Sequence, residues 1–473
     1  MAAPDAKNDI EHVETTSRLS DNEPNERFSL RQAAAIRRRI DFRLIPALGF
    51  MYGISLMDRK NVSNAAIAGM RVDLDLVEGY RYSLITLTFF ITYVVFQAPM
   101  TIVCRKIGPR VFLPGICLLW GCVIIGFGFA NNWTTLVALR LILGILEAGY
   151  FPGCVYLLST WYTRFEVARR YSVFYLIGSI ASALSGILAY GLMQMEGLQG
   201  IRGWRWIFIM EGIITCAVAC FAYTVIVRFP DQEREKPSFK FLKPDETQFI
   251  IERLEKDRGD VEAEKFSWVK FLTPAKDLEI WGFAFIFFAV FLPIILRDNM
   301  GFSMAASQCL VAPPYVFAAI LMFTTSWVGD RYRIRGPILV FNSIISIIGL
   351  PIMGFHSSPA VRYFGVFLGT AGANANVPAV MAYQANNIRG QWKRAFCSAT
   401  LTGLGGIGGI AGSLVFRSQD APDYIPGAIA TIVCGVAVII TVGILSLYFR
   451  ASNRKADRGE KVIDNDPSFR YTL

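Results

Sequence analysis

Apolar runs close to twenty residues long recur along nearly all of this 473-residue chain, separated by short charged turns. A helix rises about 1.5 Å per residue, so about 20 apolar residues cross the roughly 30 Å hydrocarbon core of a bilayer. The chain is 53% hydrophobic and only 18% charged, with mean hydropathy +0.42, where a soluble protein carries about a quarter charged residues. The class is a polytopic, all-α membrane protein. Its length would admit two or three soluble domains, but the repeated runs argue for one membrane body.

Twelve spans account for the chain. Six fall near 42–66, 83–104, 111–130, 134–160, 171–193 and 204–228, and six more near 278–296, 308–328, 337–356, 361–386, 395–416 and 425–449. The expected organisation is a disordered tail over 1–40, a six-helix bundle over 41–228, a polar linker over 229–276, a second six-helix bundle over 277–449 and a polar tail over 450–473. The linker segment beginning Pro244-Asp245-Glu246 has proline and acids in its first turn, as an amphipathic helix start does. It reads as a strap between the bundles.

The net charge of +10 does not indicate nucleic acid. The basic residues gather in turns on one side: Arg105, Lys106 and Arg110; Arg164, Arg169 and Arg170; Arg331, Arg333 and Arg335; Arg389, Lys393 and Arg394. The positive-inside rule places these turns and both tails in the cytoplasm. No signal peptide is expected, because the first forty residues are polar and mixed in charge. Nine cysteines lie in or beside apolar segments and are expected to be small packing residues. With only two histidines, no metal site or cofactor is expected. The sequon at Asn132 sits in a turn too tight against the membrane to be a good glycan acceptor.

Charges inside the apolar runs are the functional signal. Arg140, Gly144 and Glu147 recur at helical spacing in the fourth span, and Asp58-Arg59 lies in the first. An ionised side chain at the centre of a membrane helix costs roughly 2.5–3.5 kcal/mol, against about 0.3–0.6 returned by a leucine. Such residues persist where they face a cavity or a partner. One reading makes the four charges the centre of a transport site. The other makes them ion pairs that pin two spans together, and two pairs are a heavy burden for packing alone. A guanidinium offers a fixed fork of donors that suits a carboxylate. A carboxyl in a poorly solvated cavity can load and release a proton near neutrality.

The basic turn Arg105–Arg110 after the second span is echoed by Asp330–Arg335 after the eighth. Equivalent turns in two six-helix halves imply a duplicated bundle that binds substrate between its halves. Six plus six spans with these turns resemble the major facilitator superfamily. A narrower similarity rests on Asp58-Arg59-Lys60-Asn61 with Asn64-Ala65, on Arg140, Gly144, Glu147-Ala148-Gly149 and Pro152-Gly153, on Trp204-Arg205-Trp206 with Phe208, Glu211 and Gly212, and on Arg362-Tyr363-Phe364-Gly365. Together these resemble the fungal allantoate-permease type of anion:cation symporter, whose members import small carboxylates such as nicotinate, pantothenate or allantoate. The resemblance implies that Arg59 and Arg140 hold the anion while Asp58 and Glu147 carry protons.

Asn61, Tyr93, Asn374 and Asn376 are further candidates for substrate contact, although amides inside spans also bond helix to helix. Arg105, Lys106, Arg110, Asp330 and Arg331 fit gating or topology. Glu211 is expected to make a structural contact, with Arg205 as a possible partner. The glycine run Gly403–Gly412 lacks the Lys-Ser/Thr of a nucleotide loop and fits close packing or a gate. The seventh span departs from the resemblance by being barely long enough to cross.

The function expected is proton-coupled import of a small organic anion by a monomer in the plasma membrane. The alternative is export of an acidic metabolite; the resemblance disfavours it, since proton-antiport exporters of that superfamily usually carry a Gly-Pro element in the fifth span and Leu176–Gly186 has no proline. An enzyme would need a nucleophile–base pair or metal cluster that the sequence does not supply.

Overall fold

The structure, a computed structural model, describes residues 28–473 apart from 77–79, 259–266, 292–303, 357, 416–424 and 465. Its spans are Leu30–Ala65; the bent pair Arg81–Val95 and Gln97–Ile107; Pro109–Phe127; Trp133–Ala148 continued by Tyr150–Trp161; Val167–Met193; and Gly203–Val225. After the linker come Leu278–Phe291, Met304–Tyr332, Gly336–Phe355, Pro359–Asn387, Gln391–Val415 and Ile425–Asp457. Among the described residues, eight of these spans are long and apolar enough to cross a membrane, and the bent pair makes nine. The tenth is more polar but is buried without interruption from Ala371 to Ile388, so its amides face protein rather than lipid.

The duplication is visible in the packing. In the first half, the first span packs on the fifth, the second on the fourth and the third on the sixth. In the second half, the seventh packs on the eleventh, the eighth on the tenth and the ninth on the twelfth. Adding six to each number converts one set into the other. Between halves, the second span meets the eleventh and the fifth meets the eighth, the exchange expected of two related bundles facing each other.

Small residues make these approaches possible. A Cβ at Gly144 would sit 2.4 Å from the Phe89 carbonyl oxygen, and one at Gly178 would sit 2.3 Å from the Tyr52 ring. In the glycine run, a Cβ at Gly408 would lie 2.3 Å from the Phe288 carbonyl oxygen and one at Gly406 would touch Val94 of the opposite half at 3.1 Å. Close packing is therefore the role of those two glycines. In the fourth span, Pro152 lacks the N–H that would bond the Ala148 carbonyl, which explains the break at Gly149.

Several boundaries differ from expectation. The first helix starts at Leu30 rather than near 42, because Ser29 and Gln32 form a reciprocal capping box. Residues 1–27 of the expected disordered tail lie outside the described residues. The last helix runs on to Asp457, and the segment after it folds back instead of trailing away. Phe449 and Tyr471 stack at 4.4 Å, and Ile463, Phe469 and Tyr471 are buried. The cysteines do not all pack inside, for Cys122 and Cys220 are exposed on the outer surface of the bundle. Asn132 caps the fourth span by accepting from Thr135 N at 2.8 Å. The seventh span is helical for 14 residues, about 21 Å, and its expected end at 292–296 lies outside the described residues.

Candidate functional site

The first span presents two neighbouring faces to two different helices. Ser55 and Arg59, one turn apart, both reach Glu147 of the fourth span: Ser55 Oγ donates to Glu147 Oε2 at 2.9 Å and Arg59 Nε donates to it at 3.1 Å. Asp58 and Asn61, three residues apart, turn toward the sixth span. Asn61 Nδ2 donates to Asp58 Oδ1 at 3.4 Å and also to Glu211 Oε2. The expected neighbours in sequence are thus not the partners in space. Glu147 pairs with Arg59 across spans, and Glu211 joins Asn61, while Arg205 instead donates to the Gly128 carbonyl at 2.9 Å and to Asn131.

Aromatic faces hold the two arginines. The Arg59 guanidinium lies 4.5 Å from the Tyr93 ring centroid and 5.6 Å from that of Phe89. Arg140 lies 5.6 Å from Phe89 and 5.3 Å from Phe127. Desolvated cation–π contacts of this kind contribute about 2 kcal/mol each. Arg140 is 3% exposed, and its Nε is buried with no hydrogen-bond partner among the described residues. Glu147 Oε1, Asp58 Oδ2 and Glu211 Oε1 are likewise buried and unpartnered. A buried guanidinium near the Asp58 and Glu147 carboxylates without a direct ion pair is costly by itself.

Asp58, Arg59, Asn61, Tyr93, Arg140 and Glu147 are therefore brought together. Asn374 and Asn376 make their hydrogen bonds within the second half. Asn374 Nδ2 donates to the Thr370 carbonyl of its own helix at 2.8 Å, and Asn376 Nδ2 donates to Ser343 Oγ of the ninth span at 2.9 Å. Ser55, Phe89, Phe127 and Glu211 belong to the constellation without having been singled out for it. Glu211 carried a signal, being an acid inside an apolar span; nothing in the sequence distinguished Phe89 or Phe127 from lipid-facing phenylalanines.

The basic turns converge on one face, where the two halves meet. Arg105 makes a two-pronged pair with Asp231 at 3.3 and 3.1 Å, stacks on Phe229 and donates to Gln391 of the opposite half at 2.6 Å. Asp330 accepts from the Arg169 backbone N–H at 3.1 Å and from Arg335 at 2.7 Å. Arg335 also donates to the Arg164 carbonyl at 3.0 Å, and Arg394 donates to the Ser159 carbonyl at 3.1 Å. Arg110 reaches Ser238 at 3.4 Å, within its own side of the molecule. Lys106 and Arg331 are exposed. Phe469, from the segment after the last helix, lies 5.2 Å from both Arg164 and Arg389 and so bridges the halves. This face is closed.

Two duplicated six-helix bundles that meet across charged turns on one face have the architecture of a membrane transporter. The Major Facilitator Superfamily pattern matches residues 48–413, and the chain belongs to that family. Its members move small solutes as secondary transporters and are not enzymes. An MFS-type transporter of Penicillium expansum, cnsO, is 32% identical over 413 residues, covering 84% of this chain and 79% of the relative. The high-affinity nicotinic acid transporter of Saccharomyces cerevisiae is 29% identical, covering 92% and 84%. The solved proton:xylose symporter XylE superposes with a TM-score of 0.66 at 12% identity, covering 86% of this chain and 96% of that one.

Proposed function

We propose that this protein imports a small organic anion, a carboxylate of the vitamin-acid or ureide kind, together with protons. The observation that carries the reading is Arg140, a buried guanidinium whose Nε has no partner among the described residues, in the same half as an arginine already held by a carboxylate. An anion supplied between the halves would take the Arg140 fork, which matches a carboxylate in shape and charge. Protonating Glu147 removes its attraction for Arg59 and frees that second guanidinium to complete the clamp. Proton loading and anion binding then favour each other. The shared contact with Phe89 keeps both arginines on one side of the first half. The nicotinic acid transporter of Saccharomyces cerevisiae supports a carboxylate substrate, and the motifs around Asp58, Arg140, Trp204 and Arg362 support the allantoate-permease type.

The clustered basic turns support a cytoplasmic closed face by the positive-inside rule, a state shut to the cell interior. The plasma membrane is the proposed address and a monomer the proposed unit. The test is uptake of labelled nicotinate, pantothenate and allantoate, with and without a protonophore, in cells lacking their own carriers. Accumulation of one of them that the protonophore abolishes is expected. Efflux of preloaded label without uptake would favour an exporter, and uptake indifferent to the protonophore would remove the proton from the mechanism.

A further inference from the structure

Glu211 is a buried acid to which anion binding and the Glu147 switch give no task. It lies two turns inside the sixth span and is 3% exposed. Its Oε2 accepts from Asn61 Nδ2, the same nitrogen that donates to Asp58 Oδ1. An amide nitrogen carries two hydrogens, so Asn61 can serve one carboxyl with each. The outer oxygens, Asp58 Oδ2 and Glu211 Oε1, stay buried and unpartnered.

Among the described residues no basic side chain pairs with Glu211. On its own helix, Thr215 Oγ1 returns to the Glu211 backbone oxygen at 2.8 Å. From the first span, Arg59 is taken by Glu147, and Lys60 donates to the Ser182 carbonyl of the fifth span at 3.0 Å. From the fourth span, Arg140 lies against ring faces, with Asp58 and Glu147 as its acidic neighbours. From the third span, Trp120 stands beside Asp58. Two carboxylates held by one neutral amide repel each other strongly in a poorly solvated interior. Sharing one proton relieves that repulsion, as in other carboxyl pairs that occupy one site.

We propose that Glu211 and Asp58 hold one proton between them across Asn61, making Glu211 a further proton-holding residue of the coupling site beside Asp58 and Glu147. The inference rests on the proton-coupled reading above. Loading forms one O–H bond on a carboxylate oxygen and leaves a water molecule where a hydronium stood; release reverses this, and no other bond changes. Asn61 then acts as a positioning residue that keeps the two carboxyls in register, which accounts for an amide with no exposure at the first–sixth span contact.

The test needs no substrate. Infrared difference spectra of the purified full chain, titrated from acid to neutral pH, report the C=O stretch of a protonated carboxyl. Glu211→Gln and Asp58→Asn are each expected to move that band to a more acid midpoint, because each removes the negative neighbour whose repulsion the shared proton relieves. A band whose midpoint neither variant moves overturns the proposal. In cells, Glu211→Gln is expected to lower protonophore-sensitive accumulation of nicotinate at least about tenfold while counterflow exchange stays measurable; accumulation with an unaltered pH profile overturns it. Should Glu211→Gln fail to reach the membrane, Glu211→Asp keeps the acid on a shorter stem, and its band must titrate at a shifted midpoint for the proposal to stand. Failure of the unaltered protein to accumulate any carboxylate counts against the import reading, whereas the infrared band decides Glu211 independently.

Discussion

At the scale of the residue, the decisive feature is that partners in space are not neighbours in sequence. Asp58 and Arg59 are adjacent, yet Arg59 reaches Glu147 while Asp58 shares Asn61 with Glu211. Adjacent helical residues diverge by about 100°, so the two side chains serve different helices. Replacing Glu147 by Gln keeps the shape and removes the charge. Glu147→Gln is expected to leave substrate exchange measurable and to abolish proton-driven accumulation, read as counterflow against net uptake in the same vesicles. Undiminished accumulation would show that Glu147 only braces Arg59. The candidate residues of the first and fourth spans were legible because charges are conspicuous among apolar residues. Phe89 and Phe127 were not, since a phenylalanine that cradles a guanidinium looks in sequence like one that faces lipid.

Among the elements, glycine sets how closely the second and fourth spans approach, and hence where Tyr93 meets Arg59. A Cβ at Gly144 would meet Thr92 Oγ1, the Phe89 carbonyl oxygen and the Tyr93 nitrogen, the last at 3.2 Å. Two of these three are backbone atoms that cannot swing aside. Gly144→Ala is therefore expected to destabilise by about 1–3 kcal/mol and to impair transport by moving Phe89 and Tyr93 away from both arginines. Gly115→Ala, inside the third span where nothing lies within 4 Å, is expected to leave stability unchanged or raise it by up to about 1 kcal/mol. Thermal unfolding in detergent checks both. Apolar length gave the spans to within a few residues in most places, but it missed the early start at Leu30 and the break at Gly149. Those depend on capping and on one absent proline N–H, local details that hydropathy averages out.

For the whole molecule, charge networks on the closed face tie separate segments to the bundles. Glu166, in the turn before the fifth span, accepts from Arg253 of the linker helix at 2.9 Å and from Arg37 of the first helix at 2.9 Å. Burial by itself favours the neutral acid, but Arg253, Arg37 and Arg170 outweigh it and hold Glu166 at about 2, below its usual 4.5. A depressed carboxyl stabilises the fold above its unfolded value, and that contribution is lost as pH falls through the folded one. The unaltered protein is thus expected to lose melting temperature between about pH 4.5 and about pH 2 more steeply than Glu166→Gln, which should already melt a few degrees lower at neutral pH; parallel curves would contradict this. Apolar periodicity and clustered basic turns determined by themselves that the chain crosses a membrane in two related sets of six helices, because a bilayer admits few other solutions for such runs. Only the tertiary structure decided which acids meet which arginines, that the segment after the last helix folds back beneath the bundles, and that Arg140–Glu147 is not itself an ion pair. Those outcomes depend on how helices rotate and approach one another, which is fixed by small residues and side-chain faces on several spans at once rather than by any one stretch of sequence.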